Sequence, residues 1–244
     1  MAVSKLTILQ LLTAAASLFH FMLPAPAAEN IPVIQATQHH LHFGKMMAFV
    51  GKNELRLDNL GSWKFTLCSR APKWDVFVYR TDDKTMFKQS YANFIKSGLL
   101  SEIAIGLRAR IVAEPKLCKP AVVNGVPVMG YADRKIAVSF IAPSQFNPKI
   151  EQIIYLAYKM PTQGGFPLRY ACIQEGKDFI TGMDQTGRLQ VQLSTSQVKR
   201  TTVPNAYFDC PPNLKDVGSV QDVLLAKGSR SQSDGIFQEL MRDK

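Results

Sequence analysis

Apolar and polar positions alternate with period two over much of this chain, in short runs punctuated by Gly, Pro, Asn and Asp. Residues 40–50 read as a strand, Gly51-Lys52-Asn53 as a turn, and 54–58 as a strand in which Leu55 and Leu57 alternate with Arg56 and Asp58. After Asn59-Leu60-Gly61, Trp63, Phe65 and Leu67 alternate with Lys64, Thr66 and Cys68, and 75–80 holds the apolar run Val76-Phe77-Val78-Tyr79. Residues 29–38 contain Pro32 and no amphipathic period, so they read as an irregular lead-in.

The period changes between 84 and 103. Phe87, Tyr91, Phe94, Ile95 and Leu99 fall on one side of a helix, with Lys84, Lys88, Gln89 and Lys96 on the other, and the pattern stops near Gly98. Such a helix is either docked on a sheet as ordinary core or a movable lid over an apolar cavity.

Strands resume after Pro115. The stretch 121–129 is a hairpin around Asn124-Gly125, because Asn-Gly readily takes the left-handed angles of a tight turn. Residues 135–142 alternate Ile136, Val138 and Phe140 with smaller side chains. Residues 150–160 suit either a helix of about three turns or a buried strand, and Asn147-Pro148 as a start with Glu151 in the first turn favours the helix. Strands over 168–173, 179–182 and 189–198 follow, joined by turns at Glu175-Gly176 and Gln185-Thr186-Gly187. Roughly nine or ten strands with two helices predict an α+β, mainly β fold, a curved antiparallel sheet or incomplete β-barrel with helices covering one side.

The ends of the chain differ from its middle. Lys5, the apolar run 6–23 and the small residues of Pro24-Ala25-Pro26-Ala27-Ala28 have the anatomy of a secretory signal peptide, cleaved near Ala28. This predicts a periplasmic or secreted protein whose mature chain does not span the membrane. Residues 227–244 begin with Lys227-Gly228-Ser229-Arg230-Ser231 and read as a flexible tail, with a short helix at 236–242. A single β-rich domain over 29–226 remains.

Export changes how the charge is read. The formal charge is +10, and +9 without residues 1–28, which carry one Lys and no acid. The basic residues do not cluster, and nucleic acid is not the partner expected outside the cytoplasm. Acidic envelope components are better candidates. Four cysteines, Cys68, Cys118, Cys172 and Cys210, form an even set in an exported chain and predict two disulfides; closure of the shorter loops favours Cys68–Cys118 with Cys172–Cys210. On a strand His40 and His42 would share a face and could offer two ligands to Cu or Zn, against the alternative of an exposed polar strand edge. Asp82-Asp83 falls in a turn, and no G-x-S-x-G, H-E-x-x-H or phosphate-cradling Gly loop occurs. The reading is therefore of a non-enzyme without a cofactor.

Three segments carry a family resemblance. Arg70-x-Pro72-x-Trp74, then Val76-Phe77-Val78-Tyr79 and Asp83-Lys84-Thr85-Met86-Phe87, and later Phe208-Asp209-Cys210-Pro211-Pro212 with Val217, resemble motifs of the periplasmic outer-membrane lipoprotein carriers. That resemblance implies an incomplete β-barrel with a helical lid over an apolar cavity, and the binding and transfer of an acylated ligand; the overall reading is of a monomeric exported binding protein for an apolar or acylated ligand. It further implies that Arg70 stands near the cavity mouth and that Trp63, Trp74, Phe87, Tyr91 and Phe94 line the cavity. The competing expectation is a non-catalytic structural or protein-interaction component of the envelope.

Overall fold

The computed structural model describes residues 29–99, 118–132, 134–142, 145–174, 176 and 183–224. The expected signal peptide, the strand at 179–182 and the tail at 227–244 lie outside the described residues.

One twelve-stranded sheet organises the chain. Its first half is a meander, β1 (Asn30–His40), β2 (Gly44–Val50), β3 (Glu54–Asn59), β4 (Thr66–Arg70), β5 (Val76–Arg80) and β6 (Thr85–Gln89). The second half comprises β7 (Lys119–Val123), β8 (Val126–Ala132), β9 (Ile136–Ile141), β10 (Phe166–Ile173) and β11 (Leu189–Pro204), and the short β12 (Lys215–Asp216) comes last. The spatial order is β12-β6-β5-β4-β3-β2-β1-β11-β10-β9-β8-β7, so β1 and β11 join two sequential meanders. Every pairing is antiparallel except that of β12 with β6. The sheet is open, as expected of an incomplete barrel, and the mainly β fold class holds.

The lead-in at 29–38 is a strand. β1 pairs β11 from Asn30 to His40, whereas β2 begins only opposite Ile34. Pro32 therefore lies where β1 has a neighbour on one side alone, a place where a residue without an N–H is tolerated. Its inward positions are Ile34, Ala36, Gln38 and His40. Two of those four are polar, which hid the alternation. Gln38 gives its amide N–H to Pro167 O (2.8 Å) and accepts from the Tyr158 hydroxyl (2.9 Å), so burial costs it no hydrogen bond.

The helix expected from Lys84 is also divided differently. Residues 85–89 are β6, with Phe87 opposite Val78 facing the core and Lys88 facing out, where its Nζ lies 3.0 Å from Asp75. Among the described residues of this stretch, which end at 99, only α1 (Tyr91–Ser97) is helical, started by the Ser90 side chain and ended at Gly98 with φ 68°. The spacing of Phe87 to Tyr91 matched a helical stripe by coincidence of a strand running into a helix.

α2 (Pro148–Tyr158) follows the expected signals. The Asn147 side chain caps it, Pro148 opens it, and Ile150, Ile153, Ile154, Ala157 and Tyr158 bury its inner face. A third, short helix, α3 (Val220–Leu224), packs Val220, Val223 and Leu224 into the same core. That core also takes Leu55, Leu57, Leu67, Val76 and Val78 from one face of the first meander. No helix among the described residues is long and apolar enough to cross a membrane.

Gly165, before β10, shows how closely the second meander is packed. A Cβ there would lie 2.2 Å from the Ile141 carbonyl oxygen and 2.8 Å from the Phe140 ring. Gly165→Ala is expected to cost roughly 1–3 kcal/mol, since the backbone of β9 must move. A urea midpoint unchanged from wild type would refute the tight contact.

Candidate functional site

The expected cavity residues are packed in or against the main core. Phe94 is 1% exposed and Trp74 3% exposed, both in the main core, with Trp63, Phe87 and Tyr91 half-buried against it. Trp74 and Tyr91 come together around one cation, with Lys149 Nζ 5.9 Å from the Trp74 ring centre and 4.7 Å from that of Tyr91. The Tyr91 hydroxyl hydrogen-bonds Gln152 on α2. Trp63 packs edge-on against Phe43, which belongs to the same core.

The Arg70 carbonyl accepts the Trp74 N–H (2.9 Å), but its side chain is directed away from these aromatics. Along β4, Leu67 points into the core while Thr66, Cys68 and Arg70 take the opposite face. There Arg70 Nη1 meets Asp209 Oδ1 at 2.7 Å. This outer face is covered by the chain leaving β11, where a 3-10 turn (Asn205–Phe208) crosses β3 and β4 before β12 joins the edge at β6. Phe208 buries itself against Val33 and Phe49 in a second, smaller apolar cluster.

Beneath this strap lies a cluster of polar and ionisable groups. Arg56 donates from Nε to Asp58 (2.9 Å) and from Nη1 to Tyr207 O (2.7 Å), and its guanidinium lies 4.1 Å from the Tyr207 ring centre. Asp58 also accepts from the hydroxyls of Thr66 (2.8 Å) and Tyr207 (3.1 Å). Burial pushes the Cys68 thiol up to about 12, with the neighbouring Cys210 adding to the effect and Arg56 opposing it. Burial likewise raises the Tyr79 phenol, while the nearby Arg56 pulls it down. Raised thiol and phenol values keep these groups protonated and poor as nucleophiles.

The four cysteines are all thiols in the structure, and the sequential pairing is not formed. Cys172 lies on β10, whereas Cys210 Sγ sits 3.3 Å from Met86 Sδ on β6, at the other end of the sheet. Loop length favoured that pairing, and strand order separates it.

The two imidazoles are not free to share a metal. His40 closes β1, and its Nδ1 accepts the backbone N–H groups of His42 (3.2 Å) and Phe43 (3.3 Å). With Nδ1 thus occupied, Nε2 carries the proton and donates to Tyr158 O at 3.1 Å. Burial lowers the pKa of His40 to about 4. His42 falls in the turn after the strand instead of extending it. Among the described residues no group of three or more His, Cys, Asp and Glu converges on a metal position. Asp82 and Asp83 are likewise structural, both closing on the buried Arg80, with Asp82 Oδ2 2.7 Å from its Nη2.

A feature invisible in the sequence lies on the second meander. The tip of the β7–β8 hairpin reaches back to β11, where Asn124 Nδ2 donates to Val198 O at 3.0 Å. Between them runs a groove of about 520 Å³. Its apolar wall is Val123, Leu168, Val191 and Val198, and its polar groups include Ser139, Arg169 and Ser194. The groove follows irregularities in pairing, with register shifts at Thr37/Gln38, Pro167/Arg169 and Tyr170/Ala171. Bulges bend a sheet and re-aim its side chains. Pairing register is set by tertiary contacts, so the sequence held no sign of it beyond the Asn-Gly turn that places the hairpin tip. A smaller apolar groove of about 290 Å³ lies along Pro120, Val122, Pro127 and Met129.

Comparison with known proteins adds little to this geometry. No known protein family and no curated protein matches the chain. Among solved structures, an uncharacterized conserved protein from Thermus thermophilus is similar at 12% identity and a TM-score of 0.39, over 83% of this chain and 98% of that one. At that level the likeness carries no argument about function.

Proposed function

We propose that this is an exported, non-catalytic binding protein for an amphipathic ligand, an acyl chain with an anionic head group. The observation that carries the reading is the groove between the β7–β8 hairpin and β11. Its volume of about 520 Å³ suits a lipid-sized portion of a ligand, and it combines an apolar wall with the exposed cation of Arg169. The net positive charge of the chain favours an anionic head group at long range. The family resemblance points to the same ligand class but to a different place, the aromatic residues that here fill the core.

Titration with a fluorescent fatty acid tests the reading. Saturable binding is expected, weakened roughly tenfold by Arg169→Glu through loss of the head-group contact. Native mass spectrometry of protein purified from the periplasm should show a lipid-sized adduct. A clean apo mass together with no uptake would sink the proposal.

One observation favours the envelope-interaction reading as the alternative. β7 is an edge strand whose five residues are all exposed, Val122 at 71%, beside the smaller apolar groove. Such an edge can accept a strand from a partner. Under that reading, fatty-acid binding is absent and lysine substitution at Val122 abolishes partner capture.

A further inference from the structure

We propose that Cys68 and Cys210 form a disulfide in the exported protein, fastening the strap to the outer face of the first meander. The bond would join residues far apart in sequence that the strap carries to the same face of the sheet. It rests on the export reading and is independent of the ligand.

Three contacts place the strap sulfur. Asp209, the residue before Cys210, is held by Arg70, two positions along β4 from Cys68 on the same face. Tyr207, three residues before Cys210, is held from β3 by Arg56, the direct cross-strand partner of Cys68. Cys210 Sγ touches Met86 on β6, which pairs with Tyr79 of β5, while Cys68 pairs with Phe77 of β5 two residues away. Cys118, which precedes β7, and Cys172 on β10 belong to the other meander, so neither competes for these sulfurs.

The chemistry is thiol–disulfide exchange with a small or protein disulfide oxidant, RSSR. The partly exposed Cys210 gives up its proton, and its thiolate attacks one oxidant sulfur, breaking the oxidant S–S bond and releasing RS⁻. The Cys68 thiolate, its proton likewise lost, then attacks Cys210 Sγ in the mixed disulfide and expels the second RS⁻. Two protein thiols are oxidised by two electrons and one RSSR becomes two RSH. Burial holds both thiols high, Cys210 at about 11, so exchange in the folded protein is slow at neutral pH and faster in alkali.

The test is peptide mapping without reduction after thiol alkylation. It is applied to the full chain exported to and purified from the periplasm, and to reduced purified protein incubated with oxidised glutathione. A linked Cys68–Cys210 peptide pair is expected in both. Reduction should then lower the Tm by roughly 5–10 °C, as for a long loop released. Cys210→Ser should fold with the Tm of the reduced wild type and no longer respond to reductant. Alkylation of both sulfurs in the glutathione sample, or a Cys68–Cys118 or Cys172–Cys210 pair there, overturns the proposal. A bond formed with glutathione but missing from the periplasm-purified protein overturns the proposal that the exported protein carries it.

Discussion

Replacing Phe94 by aspartate is expected to unfold the protein, not merely to stop it binding a ligand. Phe94 is the one buried residue of α1 and is 1% exposed in the main core. Truncating a core phenylalanine costs roughly 3–5 kcal/mol, and an unpaired buried carboxylate adds several more. A domain of this kind has only about 5–15 kcal/mol in total. Far-ultraviolet circular dichroism and urea titration would show loss of cooperative folding, while Phe94→Leu retains it at a cost of about 1–1.5 kcal/mol. A folded Phe94→Asp protein that has lost only fatty-acid uptake would make α1 a lid over a cavity, and the core assignment would be wrong.

Acidification is expected to destabilise the fold through His40 by about 3 kcal/mol, the worth of its pKa shift at about 1.4 kcal/mol per unit. In the fold its pKa is near 4, and in the unfolded chain it is near the ordinary 6.5. The unfolded chain therefore binds the proton first, so stability is full above about pH 6.5 and declines as pH falls toward 4. His42, whose pKa burial also lowers, acts in the same direction. Urea midpoints of wild type and His40→Gln between pH 7.5 and 4.5 isolate the effect, because carboxylate titration is common to both. Parallel curves would show that His40 does not titrate as its burial requires.

Much of the fold could be read locally. The strands over 54–59, 76–80 and 136–141 announce themselves by alternation and length, and α2 by its Asn-Pro start and 3.6-residue stripe. Errors arose where an inward position is polar. β1 buries Gln38 and His40, satisfied by Pro167, Thr195 and Tyr158 from distant parts of the chain, so no apolar count could find it. The candidate site was less legible. The aromatics singled out in the sequence are core because aromatic side chains bury large areas wherever they meet others. The groove depends on bulges and a hairpin tip, and the strap depends on where the chain turns after Pro204.

The apolar run at 6–23, the positive charge, the even set of cysteines and the β-rich pattern are legible from the chain alone, since each is a property of composition or of neighbours along it. Which elements meet is a matter of the folded molecule. β1 pairing with β11 sets two meanders edge to edge and separates Cys172 from Cys210. The strap folding back across β3 and β4 puts Asp209 on Arg70 and draws that arginine away from the aromatics. Pairing between distant strands depends on side chains fitting across the whole sheet, and period along the chain carries no record of that fit.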